Sequence, residues 1–163
     1  MIVRLTKRAD GGAVLRCERD DGSVTWQRQD GAQARFFPLH DLVHYAVETT
    51  LGARQGFYGL VAAGWDIDDT GGKGVRGPLP DAAIAIEQLV GMLDTERVAG
   101  ARWTADEVNA QAAAFAANGG RTPPAPLHDD VLDAIRARVQ ALHGEWHALA
   151  PGASLALPFP VTA

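Results

Sequence analysis

Four side chains suited to metal or proton chemistry, His40, Asp41, His44 and Glu48, recur within nine residues at one-turn spacing. On a helix each residue advances about 100°, so the four fall within an arc of roughly 100° and share a face. Two imidazoles one turn apart both reach a single ion, as in HExxH helices, and a carboxylate one turn further along adds an oxygen. This reading makes His40, His44 and Glu48 ligands of a divalent metal, with Asp66 as an addition from a later acidic turn. Asp68, His128, His143 and His147 are the other candidates for a completing ligand. Zinc is the first ion expected, with manganese and nickel behind it. An ion with an open position lowers the pKa of its bound water toward neutrality, and Asp41 or Glu48 is then the base, which is the chemistry of a metal-dependent hydrolase. A second reading makes the chain a non-catalytic interaction or structural protein and the stripe a hydrogen-bond network. In it His40 caps the helix start, His44 is a bonded core residue, and Asp41 suits the positive end of the helix dipole.

The run Phe36-Phe37-Pro38-Leu39-His40-Asp41-Leu42-Val43-His44-Tyr45-Ala46-Val47-Glu48, followed by Gly56-Phe57-Tyr58-Gly59-Leu60-Val61-Ala62 and Gly64-Trp65, resembles a small bacterial protein family of unassigned function. The likeness extends over most of the chain. A much shorter resemblance is to the HDxxH zinc motif of a ubiquinone-biosynthesis family, matched by His40, Asp41 and His44. In that family a glutamate follows about a dozen residues after the second histidine, where this chain has Gly56. Glu48 is the substitute that helix geometry offers.

The elements that must position the stripe are legible from periodicity. Residues 2–8, 13–19 and 23–28 alternate apolar with polar side chains around Asp10-Gly11-Gly12 and Asp20-Asp21-Gly22, the pattern of an antiparallel meander joined by tight turns. Val3 and Leu5, then Val24 and Trp26, are expected inward, while the middle strand offers either Val14 with Arg16 or Leu15 with Cys17. Pro38 suits a first helical turn and Gly52 a stop, so a helix is expected over Leu39 to Ala53. Its Leu39, Leu42, Val43, Ala46 and Val47 would be buried, leaving the stripe to face a cleft or solvent. Gly56 to Trp65 reads as a short buried helix whose glycines allow close packing. Further helices are expected at Asp81 to Ala99, at Thr104 to Asn118 behind the capping box Thr104-Ala105-Asp106-Glu107, and at Asp129 to Leu149. Ser154 to Phe159 is a candidate edge strand. Strands first and helices after give an α+β fold, a meander packed on four or five helices, in a single domain spanning 1–163.

Composition narrows the function classes. The chain has 163 residues, one cysteine and a net charge of −5. The lone Cys17 excludes an intrachain disulfide framework and a CxxC pair, which fits a reducing, cytoplasmic setting. Charges interleave from Arg4, so no signal-peptide core is expected, and no apolar run approaches the roughly 20 residues of a membrane span. Scattered basic residues and acidic balance argue against nucleic acid as a partner. A small-molecule ligand and a C2 homodimer are the partners expected. Asp66-Ile67-Asp68-Asp69-Thr70-Gly71 opens like a calcium loop, but Gly77 stands where the bidentate glutamate belongs. Gly72-Lys73-Gly74 lacks the serine or threonine and the glycine spacing of a phosphate loop, and is expected to be a mobile loop.

Overall fold

The computed structural model describes residues 1–72 and 76–160; Lys73 and Gly74 of the phosphate-loop-like segment lie outside them. Three strands come first: β1 (Ile2–Lys7), β2 (Ala13–Glu18) and β3 (Val24–Arg28). Helices α1 (Phe37–Leu51) and α2 (Phe57–Ala62) follow, then a 3-10 turn at Ile67–Gly71. Helices α3 (Asp81–Ala99), α4 (Ala105–Asn118) and α5 (Asp129–Ala148) lead to a last strand, β4 (Ser154–Pro158). All strand pairs are antiparallel in the order β3-β2-β1-β4, so the fold is α+β, with the final strand added to the free edge of the meander.

Pairing fixes which side chains face the helices, because directly opposed residues of antiparallel strands share a face. Val3 opposes Cys17 on one side and Leu157 on the other, and Leu5 opposes Leu15 and Leu155. This settles the middle strand in favour of Leu15 and Cys17, both buried together with Ala13. The expectation for β3 is corrected. Thr25 opposes the buried Cys17, so Val24 and Trp26 point outward, and Trp26 is 59% exposed. The polar Thr25 is buried because its hydroxyl accepts the Ile67 amide, tying β3 to the 3-10 turn.

Helix α1 runs through the middle of the fold, packed against α5, α3, α2 and β2. Leu42, Tyr45 and Ala46 join the sheet-side core with Val3, Leu5, Leu15, Tyr58 and Trp146. Val43 and Val47 enter a second core with Leu89, Val90, Leu93, Leu132 and Ile135 from α3 and α5. A helix between two cores is largely covered, and every residue from Asp41 to Glu48 is buried, yet His40, Asp41 and His44 line a cleft, so the polar stripe faces that cleft and is not the exposed side of a surface helix. Pro38 sits in the first turn, and Gly52 ends the helix in the left-handed conformation that glycine adopts without strain. The α4 capping box forms as the sequence implies, with Thr104 accepting the Glu107 amide and Glu107 accepting the Thr104 amide. Among the described residues no helix is long and apolar enough to cross a membrane.

Candidate metal centre

The polar arc of α1 meets α3, where each histidine faces a carboxylate. His40 and His44 are one turn apart on α1, while Glu87 and Asp94, seven residues apart on α3, lie on one face because seven residues make about two turns. His40 Nδ1 lies 2.7 Å from Asp94 Oδ2, and His44 Nε2 lies 3.4 Å from Glu87 Oε2. The rings are in edge contact with centroids 4.8 Å apart. One ligand atom from each of His40, His44 and Glu87 falls within 4.8 Å of the other two. Two ligand atoms on a tetrahedral zinc with bonds of about 2.1 Å stand roughly 3.4 Å apart, so the His44–Glu87 spacing already suits an ion between them.

Each imidazole is held by a carboxylate at Nδ1. Asp94 holds His40 and is in turn held by Arg97, whose Nη2 lies 2.9 Å from Asp94 Oδ1. Glu48 Oε1 lies 3.3 Å from His44 Nδ1, and the Glu48 carboxylate accepts the amides of Tyr58 at 3.2 Å and Gly59 at 2.9 Å. Hydrogen bonding at Nδ1 fixes the ring and leaves Nε2 for a metal, which is the outer-shell pattern of metal-bound histidines. Without an ion these carboxylates act on a proton. Burial opposes charge on His44, but Glu48 and Glu87 outweigh it and push its pKa up to about 10. Glu87 and Asp94 are held below the usual carboxylate range, as His44 in one case and His40 with Arg97 in the other overcome the cost of burial.

The centre opens on a cleft of about 530 Å³ walled by Phe37, Phe57, Ile67 and Leu79, with Asp41 and Asp68 also on its lining. Asp41 is buried and accepts a hydrogen bond from Gln29 Nε2; its pKa is pushed up to about 6 by burial, partly offset by Gln29. Phe57 lies 5.5 Å from the His44 ring and Phe36 stacks on His40 at 5.3 Å.

The structure therefore brings His40 and His44 together, with Asp41 on the same cleft, but with a different carboxylate from the one the sequence suggests. Glu48 stands on the Nδ1 side of His44, fully engaged by the start of α2, and is outside the three-atom cluster. Asp66 is also outside it: its carboxylate is 68% exposed and lies 3.3 Å from Arg19 Nη2. The guanidinium of Arg19 is anchored on the Val61 and Trp65 carbonyls, which holds Asp66 there. His40 does not cap α1, whose N-cap is Phe36 without a side-chain bond. His128 and His147 are exposed, and His143 is bonded through Nε2 to the Leu39 carbonyl at 3.0 Å. Glu87 and Asp94 were missed as site residues. Their signal was two acidic side chains at a spacing of seven in an otherwise apolar stretch of α3, and only the α1–α3 contact gives it meaning. Cys17 is fully buried, and its thiol is pushed up to about 12 by burial, so it remains an inert core residue.

No family model matches the chain, and no curated protein or solved structure matches it either.

Proposed function

We propose that the protein binds a divalent metal through His40, His44 and Glu87, and that this centre serves a hydrolytic reaction in the adjoining cleft. The observation that carries the reading is the pairing of both Nδ1 atoms with carboxylates beside a third, cleft-facing carboxylate. Two histidines and one glutamate form the donor set of open zinc sites, in which the fourth position is left to water or substrate. Zinc is the ion of choice here, because a set of two imidazoles and one carboxylate suits it; manganese and nickel are the alternatives. A water on the ion would be acidified toward neutrality, and Asp41 on the same cleft is the residue placed to take its proton. Glu48 and Asp94 act as positioning residues, holding the rings in the tautomer that presents Nε2.

The test is elemental analysis after metal stripping and reloading with zinc. One zinc per chain is expected in the parent and none in His40→Ala combined with His44→Ala, with Glu87→Gln strongly depleted. Stoichiometric zinc in the double variant would refute the assignment.

One observation favours a second reading. Charged His44 between Glu48 and Glu87 makes a satisfied buried ion pair, so the stripe would hold α1, α2 and α3 together without an ion. In that case zinc would not raise the melting temperature at any pH.

A further inference from the structure

We infer that the open face of this centre takes a ligand with an apolar body and an uncharged or cationic head, such as an amide, an ester or an amine, and disfavours anions. The inference rests on the metal reading above. With a divalent ion bound and both imidazoles neutral, the nearby charges among the described residues are the ion and Arg97, three positive, against Glu87, Glu48, Asp94 and Asp41, four negative. Asp68 on the cleft lining adds a fifth negative charge. The ion is therefore over-neutralised by its own surroundings. A phosphate or carboxylate reaching it would shed its water beside Asp41 and Asp68, whose like charges weaken its binding and discriminate against that partner. A neutral carbonyl or amine meets no such cost.

The walls supply the other half of the specificity. Phe37, Phe57, Ile67 and Leu79 line the cleft, and Phe57 stands against the His44 ring, so a group bound to the ion has an aromatic and aliphatic surface beside it. The volume of about 530 Å³ falls within the range of small-molecule pockets and admits a ring-sized substituent.

The experiment uses cobalt(II) in place of zinc, because its visible absorption reports changes at the open position. Imidazole, 4-phenylimidazole and phenyl phosphate are titrated into the cobalt-loaded full chain. The phenyl ring should strengthen imidazole binding by about tenfold or more through apolar burial. Phenyl phosphate should leave the spectrum unchanged at concentrations that saturate with 4-phenylimidazole. Asp68→Lys, at an exposed position, should bring phenyl phosphate binding into view. If phenyl phosphate binds the parent as tightly as 4-phenylimidazole, charge selection is overturned; if both imidazoles bind equally, the apolar wall is. A tetrahedral cobalt spectrum that never develops, or that persists in His40→Ala with His44→Ala, overturns the metal reading and this inference with it.

Discussion

Glu48 occupies the space that a side chain on Gly56 would need: an added Cβ there would stand 2.4 Å from the Glu48 Cδ and 2.6 Å from its Oε2. Gly56 precedes α2 with φ −77°, so its backbone suits any residue and the demand for glycine is one of space alone. Gly56→Ala should therefore push Glu48 off the Tyr58 and Gly59 amides. We expect an overpacking cost of about 1–3 kcal/mol in urea denaturation of the metal-free protein, with weaker zinc binding in calorimetry. Unchanged stability and affinity would show that Glu48 has room to move.

The carboxylates should rank by what they touch. Asp94→Asn and Glu48→Gln keep side-chain size but remove the charge at Nδ1 of His40 and His44, and changes at this level typically cost about 10–100-fold in metal affinity. Asp66→Asn, whose carboxylate faces Arg19 on the surface, should leave zinc affinity unaltered. A competition titration against a chromophoric chelator measures all three. An effect of Asp66→Asn as large as that of Asp94→Asn would contradict the geometry.

Much of the frame was legible because it rests on local rules. The meander, the Thr104 capping box, the Gly52 stop and the span of α3 all follow from turn residues, caps and periodicity within a few positions. The facing of β3 was not, since Val24 and Trp26 look like core residues until the register with β2 places Thr25 inward. The site divides in the same way. His40 and His44 declare themselves by one-turn spacing, whereas the partners that decide their chemistry come from α3. Helix geometry alone nominated Glu48, the carboxylate on the same helix. Tertiary packing turns Glu48 toward α2 and brings Glu87 to the cleft instead.

His143 gives a pH dependence separate from the metal ligands. It is buried on α5 with Nε2 on the Leu39 carbonyl; burial lowers its pKa and that bond only partly opposes the shift. A histidine depressed on folding contributes stability that is present above its unfolded pKa of about 6.5 and lost as pH falls through the lower folded value. The stability difference between the parent and His143→Gln should therefore shrink as pH drops from about 7 to about 5. Urea denaturation with chelator present in both proteins isolates the effect, because His44 and Asp41 titrate alike in each. A difference that stays constant would mean that His143 titrates no differently when folded.

Zinc-linked stability should rise with pH, for a reason more specific than the ordinary competition between protons and metal. In the metal-free protein His44 is held between Glu48 and Glu87 and keeps its proton up to about pH 10. Because this folded pKa is raised, the proton stabilises the metal-free fold fully below about 6.5, and that contribution is lost as pH climbs through the folded value. Zinc must displace the proton at every pH below that value, so each unit of pH costs about tenfold in affinity across the neutral range. The stabilisation by excess zinc follows the ratio of its concentration to the dissociation constant. We therefore expect an increase in melting temperature on adding zinc at about pH 8, a smaller one at about pH 7, and none at about pH 5. Titrations in two buffers of different ionisation enthalpy should also show about one proton released per zinc near neutrality. In His44→Gln the zinc-induced rise should disappear at all three values; a rise that survives there would place the ion elsewhere, and binding without proton release would mean that His44 is neutral before the metal arrives.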